Sequence, residues 1–382
     1  MTKKEFKYSD YFIAIHPTIN DKDCEERWNA LNTDFISESY LKVLEKSNPS
    51  DLYFRYLIIT NSEKEVCGII YFQLLKFSGK NIHLKKNRLL CFIVNIILKI
   101  CTLKLLICGN VFAVNFRPFA FDPKKINIED LFKIVEQFTH LEKSDAILLK
   151  DFGSDSANSL LLSLGYQNYT SDLTMCMDIR SGWNTMEDYK NSLSKKYRKR
   201  YEKIIFAGSS LTRKELNLQG IILYREDLFR LFKQVSAKQT IAMGLIDKNY
   251  FEEFKKAFPD KFKVIGYFEH NKLIAFTTYI DRDQLLEVHY IGMDYELNEK
   301  YNLYFNILFD STGIAISEKK NQLELGRTAR EAKANLGCQA VYFNDYIKLK
   351  SKIAIMAANW LGTNFQLSMG QDWQKRNPFK KH

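Results

Sequence analysis

Glu324-Leu325-Gly326-Arg327-Thr328-Ala329-Arg330-Glu331-Ala332-Lys333 reads as the end of a short apolar strand that breaks at a glycine into a basic helix over residues 328–336. Its basic counterpart upstream is Leu193-Ser194-Lys195-Lys196-Tyr197-Arg198-Lys199-Arg200-Tyr201-Glu202-Lys203, with six cations against the single Glu202. At 3.6 residues per turn, Lys196, Lys199, Arg200 and Lys203 share one face, and Lys195 and Arg198 another. So little acid makes this more than an ordinary salt-bridged surface and suits a phosphate-bearing ligand or an anionic membrane, the alternative being a solvated face. Arg327, Arg330 and Lys333, three apart, would line one face, with Arg327 at the helix N-terminus, where free backbone N–H groups favour an anion. The alternative there is a cap and a surface.

Outward from these stretches the chain alternates strands and helices. Residues 12–15 form a strand, 23–31 and 37–45 helices, and 52–60 with 66–77 a hairpin around the polar turn 61–65. Strands over 103–108 and 111–116, a helix over 128–141, a strand over 146–152, a helix over 156–164 and a strand over 173–177 follow. The second half repeats that order: helices at 186–206 and 227–237, a hairpin of 262–269 with 273–281, a strand at 285–293, a long helix at 302–319, a strand at 322–325, the helix 328–336 and a strand at 341–348. The fold class is therefore α/β, with a mixed sheet flanked by helices in each of two domains, 1–179 and 180–382. Residues 353–361 are amphipathic and could pack on a domain or add to a membrane face.

With 382 residues, 46% of them hydrophobic, and 6 Pro, the chain is folded and long enough for two cores. A net charge of +11 favours phosphates, in a cofactor, a nucleic acid or a membrane. Seven scattered Cys suit buried thiols in a reducing compartment. Met1-Thr2-Lys3-Lys4 leads into no apolar signal core, so cytoplasmic residence is expected. The apolar run 89–100, preceded by Lys85, Lys86 and Arg88, is too short to span a bilayer; it reads either as an interfacial segment or as a core helix followed by a strand. The chain has no metal-ligand spacing, P-loop, nucleophile elbow, dinucleotide fingerprint or groove-reading DNA motif.

The doubled order, together with Phe35-Ile36-Ser37-Glu38-Ser39-Tyr40-Leu41-Lys42-Val43-Leu44-Glu45, residues 183–189 leading into the basic helix, and Leu325-Gly326-Arg327-Thr328-Ala329 with Lys333 and Gly337, resembles tandem GNAT (acyl-CoA N-acyltransferase) folds such as the Fem-type peptidoglycan aminoacyltransferases. The resemblance covers most of the chain. It implies two GNAT-like domains and an N-acyltransferase that holds no cofactor tightly, takes acyl-CoA or acyl carrier protein as co-substrate, and acylates an amine of a lipid, such as a sphingoid base, or of an envelope precursor at the inner membrane. The Gly-rich pyrophosphate loop of GNAT domains is missing, Glu296-Leu297-Asn298-Glu299-Lys300-Tyr301-Asn302 standing in its place. An aminoacyl-tRNA donor, or a binding protein that has lost catalysis, are the alternatives.

Acyl transfer to an amine needs the amine deprotonated, the carbonyl polarised and the leaving group protonated. In the alternating strand Leu285-Leu286-Glu287-Val288-His289-Tyr290, Glu287 and His289 share one face, as a base and its partner, as two residues on a solvated sheet face or as a satisfied buried pair, and Leu286, Val288 and Tyr290 the other. Tyr301 and Tyr304 could donate a proton to a leaving thiolate or be core. The expected site is in the second domain: Glu287, His289 and Tyr304 catalytic; Lys196, Lys199, Arg200, Tyr301, Arg327 and Lys333 on substrate; no metal.

Overall fold

In the computed structural model, which describes residues 4–31, 37–47, 52–78, 81, 102–113, 116–152, 158–238, 243–365 and 373–380, the N-terminal alternation builds β1 (Lys4–Tyr8) and β2 (Tyr11–His16). Helices α1 (Lys22–Asn29) and α2 (Glu38–Lys46) follow, each started by an N-cap oxygen that accepts a backbone N–H: Asp21 from Cys24 and Ser37 from Tyr40. The expected hairpin forms from β3 (Leu52–Thr60) and β4 (Val66–Phe77), in register over its length but for one shift next to the turn. Then come β5 (Leu103–Cys108), β6 (Phe119–Phe121), α3 (Ile128–Leu141), β7 (Ala146–Phe152), α4 (Asn158–Ser163) and β8 (Gln167–Asp178).

No strand forms at residues 111–113. Gln73 Oε1 accepts the Val111 N–H at 2.9 Å and Asn110 Oδ1 that of Phe112 at 2.8 Å, so side chains cap the donors that a ladder would use. β6 pairs with β4 in that part of the chain. The run 89–100 lies outside the described residues, and among those described no helix is long and apolar enough to cross a membrane.

The later elements are α5 (Met186–Ser192), α6 (Lys195–Ala207), β9 (Thr212–Glu215), α7 (Leu218–Leu223), α8 (Arg225–Ser236), α9 (Tyr250–Ala257), β10 (Phe262–Glu269), β11 (Lys272–Arg282), β12 (Leu285–Met293), α10 (Tyr295–Tyr301), α11 (Leu303–Ser317), β13 (Gln322–Glu324), α12 (Arg330–Ala334), β14 (Gln339–Leu349) and α13 (Lys352–Phe365). The chain divides into two units. One takes the described residues of Met1–Asp172, Thr240–Asp247 and Phe343–Met369; the other takes those of Leu173–Gln239, Lys248–Tyr342 and Gly370–His382. Both units are therefore discontinuous in sequence, whereas the expected division was a single cut after residue 179.

Within the first unit the strands run β1-β2-β3-β4-β5-β7-β14, all antiparallel except β5 with β7. The α3 crossover is what allows that parallel pair, because parallel neighbours need a long connection. Leu57, Ile59, Phe72, Ile134, Phe138 and Ile147 lie at the centre of its core. The second unit repeats the device. Its strands run β8-β13-β12-β11-β10-β9, and only β12 with β13 is parallel, joined through α10 and α11.

The helix expected over 186–206 is broken. Leu193 and Ser194 are extended (ψ 144° and 157°), dividing α5 from α6, and the C-terminal strap 373–380 occupies the break. Ser194 N–H donates to Pro378 O and Lys380 N–H to Ser192 O, both at 2.9 Å. The Phe379 ring packs on Trp183 with its centroid 5.6 Å away, and the Arg180 guanidinium lies over it at 4.1 Å. Gly337, with φ +106°, passes so close that a Cβ there would lie 2.4 Å from that ring. Gly337→Val is therefore expected to destabilise the chain by about 2–4 kcal/mol, from backbone strain plus the clash with Phe379, read as a lower urea midpoint.

Candidate active site

On β8, β13 and β12, three neighbouring strands of the second unit, one face is apolar and the other polar. Leu173, Met175 and Met177 on β8, Leu323 on β13, and Leu286 and Val288 on β12 enter the hydrophobic core with Tyr189, Leu308 and Phe309. Alternation then sends Thr174, Cys176, Glu324, Glu287 and His289 to the opposite face. Thr174 Oγ1 donates to Glu324 Oε1 at 2.8 Å, and Glu324 is the register partner of Glu287 across the parallel pair.

Glu287 and His289 form a buried line. Arg282 Nη2 lies 2.6 Å from Glu287 Oε2, Glu287 Oε1 lies 3.3 Å from His289 Nδ1, and His289 Nε2 lies 2.7 Å from the Tyr250 hydroxyl. A carboxylate facing Nδ1 fixes the proton there, leaving Nε2 to accept from Tyr250. Burial alone would raise the Glu287 carboxyl, but the Arg282 guanidinium and the His289 contact outweigh it and hold the group below its ordinary value. The His289 side chain is only 1% exposed and is closed in by the rings of Tyr250, Phe254 and Tyr290. The pair is thus buried and hydrogen-bonded within the protein, with the Tyr250 hydroxyl at Nε2.

Tyr290 does not face away from His289 as strict alternation requires. The β11–β12 register shifts so that Thr277 pairs with Ile291 and Tyr279 with Val288, leaving both His289 and Tyr290 opposite Thr278. This bulge turns Tyr290 to the polar side, its ring centroid 4.4 Å from that of His289.

Lys333 is where the polar face opens a different chemistry. β12 pairs with β13 only over Leu285–Glu287, though β12 continues to Met293. Beyond Glu324 the chain stays with β8 instead: Leu325 N–H donates to Met175 O, and Gly326 O accepts Met175 N–H at 3.1 Å. The two parallel strands thus part at Gly326, whose φ of +76° is one that glycine adopts without strain. Into this corner α12 sends Lys333, 2% exposed, whose Nζ donates to the same Gly326 carbonyl at 3.1 Å. Burial lowers its amine to about 8, against the opposing pull of Cys338 and Glu324.

The remaining expected residues are dispersed. The helix starts at Arg330 after a left-handed Ala329 (φ 51°), so Arg327 lies in the preceding turn and not on a face shared with Arg330 and Lys333. Lys333 itself is inside, not on a basic surface. The buried Tyr301 donates its hydroxyl to Glu269, with the Lys300 ammonium 4.5 Å above its ring. Tyr304 is half-buried, and burial pushes its phenol well above its ordinary value, with Cys338 a common neighbour of Tyr304 and Lys333. Lys196, Lys199 and Arg200 are exposed on α6. Where a Gly-rich loop would lie in a GNAT domain, α10 ends in a left-handed Asn302 (φ 48°) leading into α11. In the first unit, His16, Asp21 and Asp23 bring potential metal-ligand atoms within 4.8 Å of one another, but Asp21 caps α1 and Asp23 holds Arg27 at 2.8 Å.

Sequence reasoning assigned no role to Arg282, Tyr250 and Glu324. Arg282 was legible, since a tight 282/285 hairpin puts it diagonally beside Glu287. Tyr250 has no local signal, being 39 residues from His289.

No protein-family model matches the chain, and no curated protein does. Solved structures do. FemX aligns over 90% of this chain and 98% of its own with a TM-score of 0.50 at 12% identity. L-PGS from Bacillus licheniformis aligns over 91% of this chain and 98% of its own with a TM-score of 0.51 at 9% identity. At such identities the likeness is one of fold, and the Fem-like, mixed α/β fold expected from the sequence is the fold of this chain.

Removing the guanidinium strands a buried carboxylate. Arg282→Ala is expected to cost about 3–5 kcal/mol at pH 7 in chemical denaturation. In the parent, Glu287's contribution is present above its unfolded-state pKa and is lost as pH falls through the lower folded value.

Proposed function

We propose that this chain is an acyltransferase that moves an acyl group from an activated carbonyl donor to an amine, with Lys333 acting on the reacting carbonyl. The observation that carries this reading is a buried amine held near neutrality at the corner where β12 and β13 part. Glu287 and His289 become positioning residues, because their polar atoms are already spoken for by Arg282 and Tyr250. The Fem-like fold supports the reading by analogy.

With a pKa of about 8, Lys333 is mostly cationic at pH 7 and able to release its proton within the physiological range. As the amine attacks the carbonyl carbon, the ammonium donates a hydrogen bond to the developing oxyanion. When the carbon–sulfur bond breaks, Lys333 gives its proton to the leaving thiolate and recovers one from the newly acylated nitrogen. The donor is a thioester on coenzyme A or on acyl carrier protein. The acceptor is an amine of a lipid or envelope precursor met at the cytoplasmic face of the membrane. Aminoacyl-tRNA as donor is the second reading, favoured by the +11 charge and by the absence of a Gly-rich pyrophosphate loop.

Thiol release from acetyl and palmitoyl thioesters of coenzyme A and acyl carrier protein, with and without amine acceptors, tests the reaction. Acceptor-dependent release that drops about 10²–10³-fold in Lys333→Met supports it. Release from none of them, with transfer from aminoacyl-tRNA, establishes the second reading; inactivity with every donor refutes both. The rate is expected to fall above pH 8 as the ammonium deprotonates, and in Lys333→Arg the fall moves to higher pH.

The same lysine carries a stability signature. Its folded pKa of about 8 lies below an unfolded value of about 10.4, so the unfolded chain binds the extra proton between those values and stability rises with pH across that window. At pH 7 the buried cation works against folding. Lys333→Met is expected to raise unfolding stability there by up to about 3 kcal/mol while losing activity.

A further inference from the structure

Helix α6 presents a surface that the chemistry at Lys333 does not use. Of its cations, Arg198 is turned inward, its Nη2 donating to the carbonyls of Asn191 at 3.4 Å and Leu193 at 3.3 Å. Lys195, Lys196, Lys199, Arg200 and Lys203 are exposed, and among the described residues none of the five is in an ion pair, Glu202 turning instead to Lys190 at 3.8 Å. Arg200 lies over the Phe305 ring at 4.7 Å and Lys196 more loosely over Tyr197 at 5.9 Å, so the projecting cations are mainly lysines.

At 1.5 Å per residue, Lys196 to Lys203 span about 10 Å along one side of the helix. Phe206 continues that side, three residues after Lys203 and seven after Lys199, and is 81% exposed. The platform is fixed at its ends: the strap holds Ser194 through Pro378, and Asn306 Nδ2 donates to Ile204 O at 3.0 Å.

We infer that this side of α6 docks on an anionic lipid surface, its lysines at headgroup level and the Phe206 ring among the first acyl carbons. The inference deepens the membrane-surface part of the proposed function and rests on it. A row of compact ammonium groups suits a diffuse layer of phosphates, whereas site-specific binding of single phosphates favours the planar fork of arginine, and both arginines here are engaged within the protein. An exposed aromatic ring beside lysines matches the amphipathic pattern of interfacial helices. Charge complementarity therefore names the occupant as a lipid bilayer, with nucleic acid as the competing outcome.

Vesicle flotation with the full chain tests this, using phosphatidylcholine alone and with about one third phosphatidylglycerol. Binding is expected to the mixed vesicles, to weaken with salt, and to fall about 100-fold in Lys196→Gln/Lys199→Gln/Lys203→Gln, about fivefold for each cation removed. Phe206→Ser is expected to weaken binding about tenfold, a loss that persists at high salt. Far-ultraviolet circular dichroism matching the parent shows that the variants fold. No vesicle binding by the parent, equal binding to both vesicle types, or unchanged binding in the triple variant overturns the inference. So does a salt-sensitive tRNA complex that the triple variant loses while keeping its vesicle affinity. The assay reads association alone, so its failure is distinguishable from failure of the acyl-transfer reading.

Discussion

The parting of two parallel strands at Gly326 is the constraint on which the second unit depends. A left-handed glycine lets the chain leave β12 after one short stretch of pairing and remain with β8. Its carbonyl then accepts both a strand N–H and the Lys333 ammonium, so the backbone turn that opens the sheet also fixes the amine in the opening. Burial there would be costly for an ordinary lysine, and the lowered pKa is the physical expression of that cost. A buried titratable amine where two strands part is the kind of perturbed group that marks a candidate functional site.

Around this corner the polar face is arranged so that little is left to move. Glu287 is held between Arg282 and His289, and His289 is held by Tyr250, with aromatic rings closing the line. Such a network fixes the polar side chains of β12, and removing one member leaves a charge or a donor stranded. The α5–α6 break belongs to the same construction. The strap packs Phe379 against Gly337, just beyond α12, and bonds Ser194 at the head of α6, so that one short peptide steadies both basic segments.

Much of the architecture was legible because periodicity and turn chemistry agreed. The β3–β4 hairpin, α3, the β10–β11 hairpin and β12 follow directly from apolar spacing bounded by polar turns. What escaped was set by partners distant in sequence. Phe379 breaks a helix that looks continuous through Leu193, and side chains of Gln73 and Asn110 silence a strand at 111–113. At the site, alternation places Glu287 and His289 together, but the bulge that turns Tyr290, the ring of Tyr250 and the inward path of Lys333 are tertiary facts. Lys333 was visible as one cation of a basic helix; only the left-handed Ala329 and the shortness of α12 reveal that it points inside.

The most direct test of this account is the titration of the Lys333 amine itself, by nitrogen-15 NMR on the full chain, with Lys333→Arg to assign its signal. A midpoint near 8 is expected, because burial disfavours the ammonium by more than the pull of Cys338 and Glu324 restores. A midpoint at the ordinary lysine value of about 10.4 would mean a hydrated amine and would contradict its role as the proton-donating group of an acyl transfer.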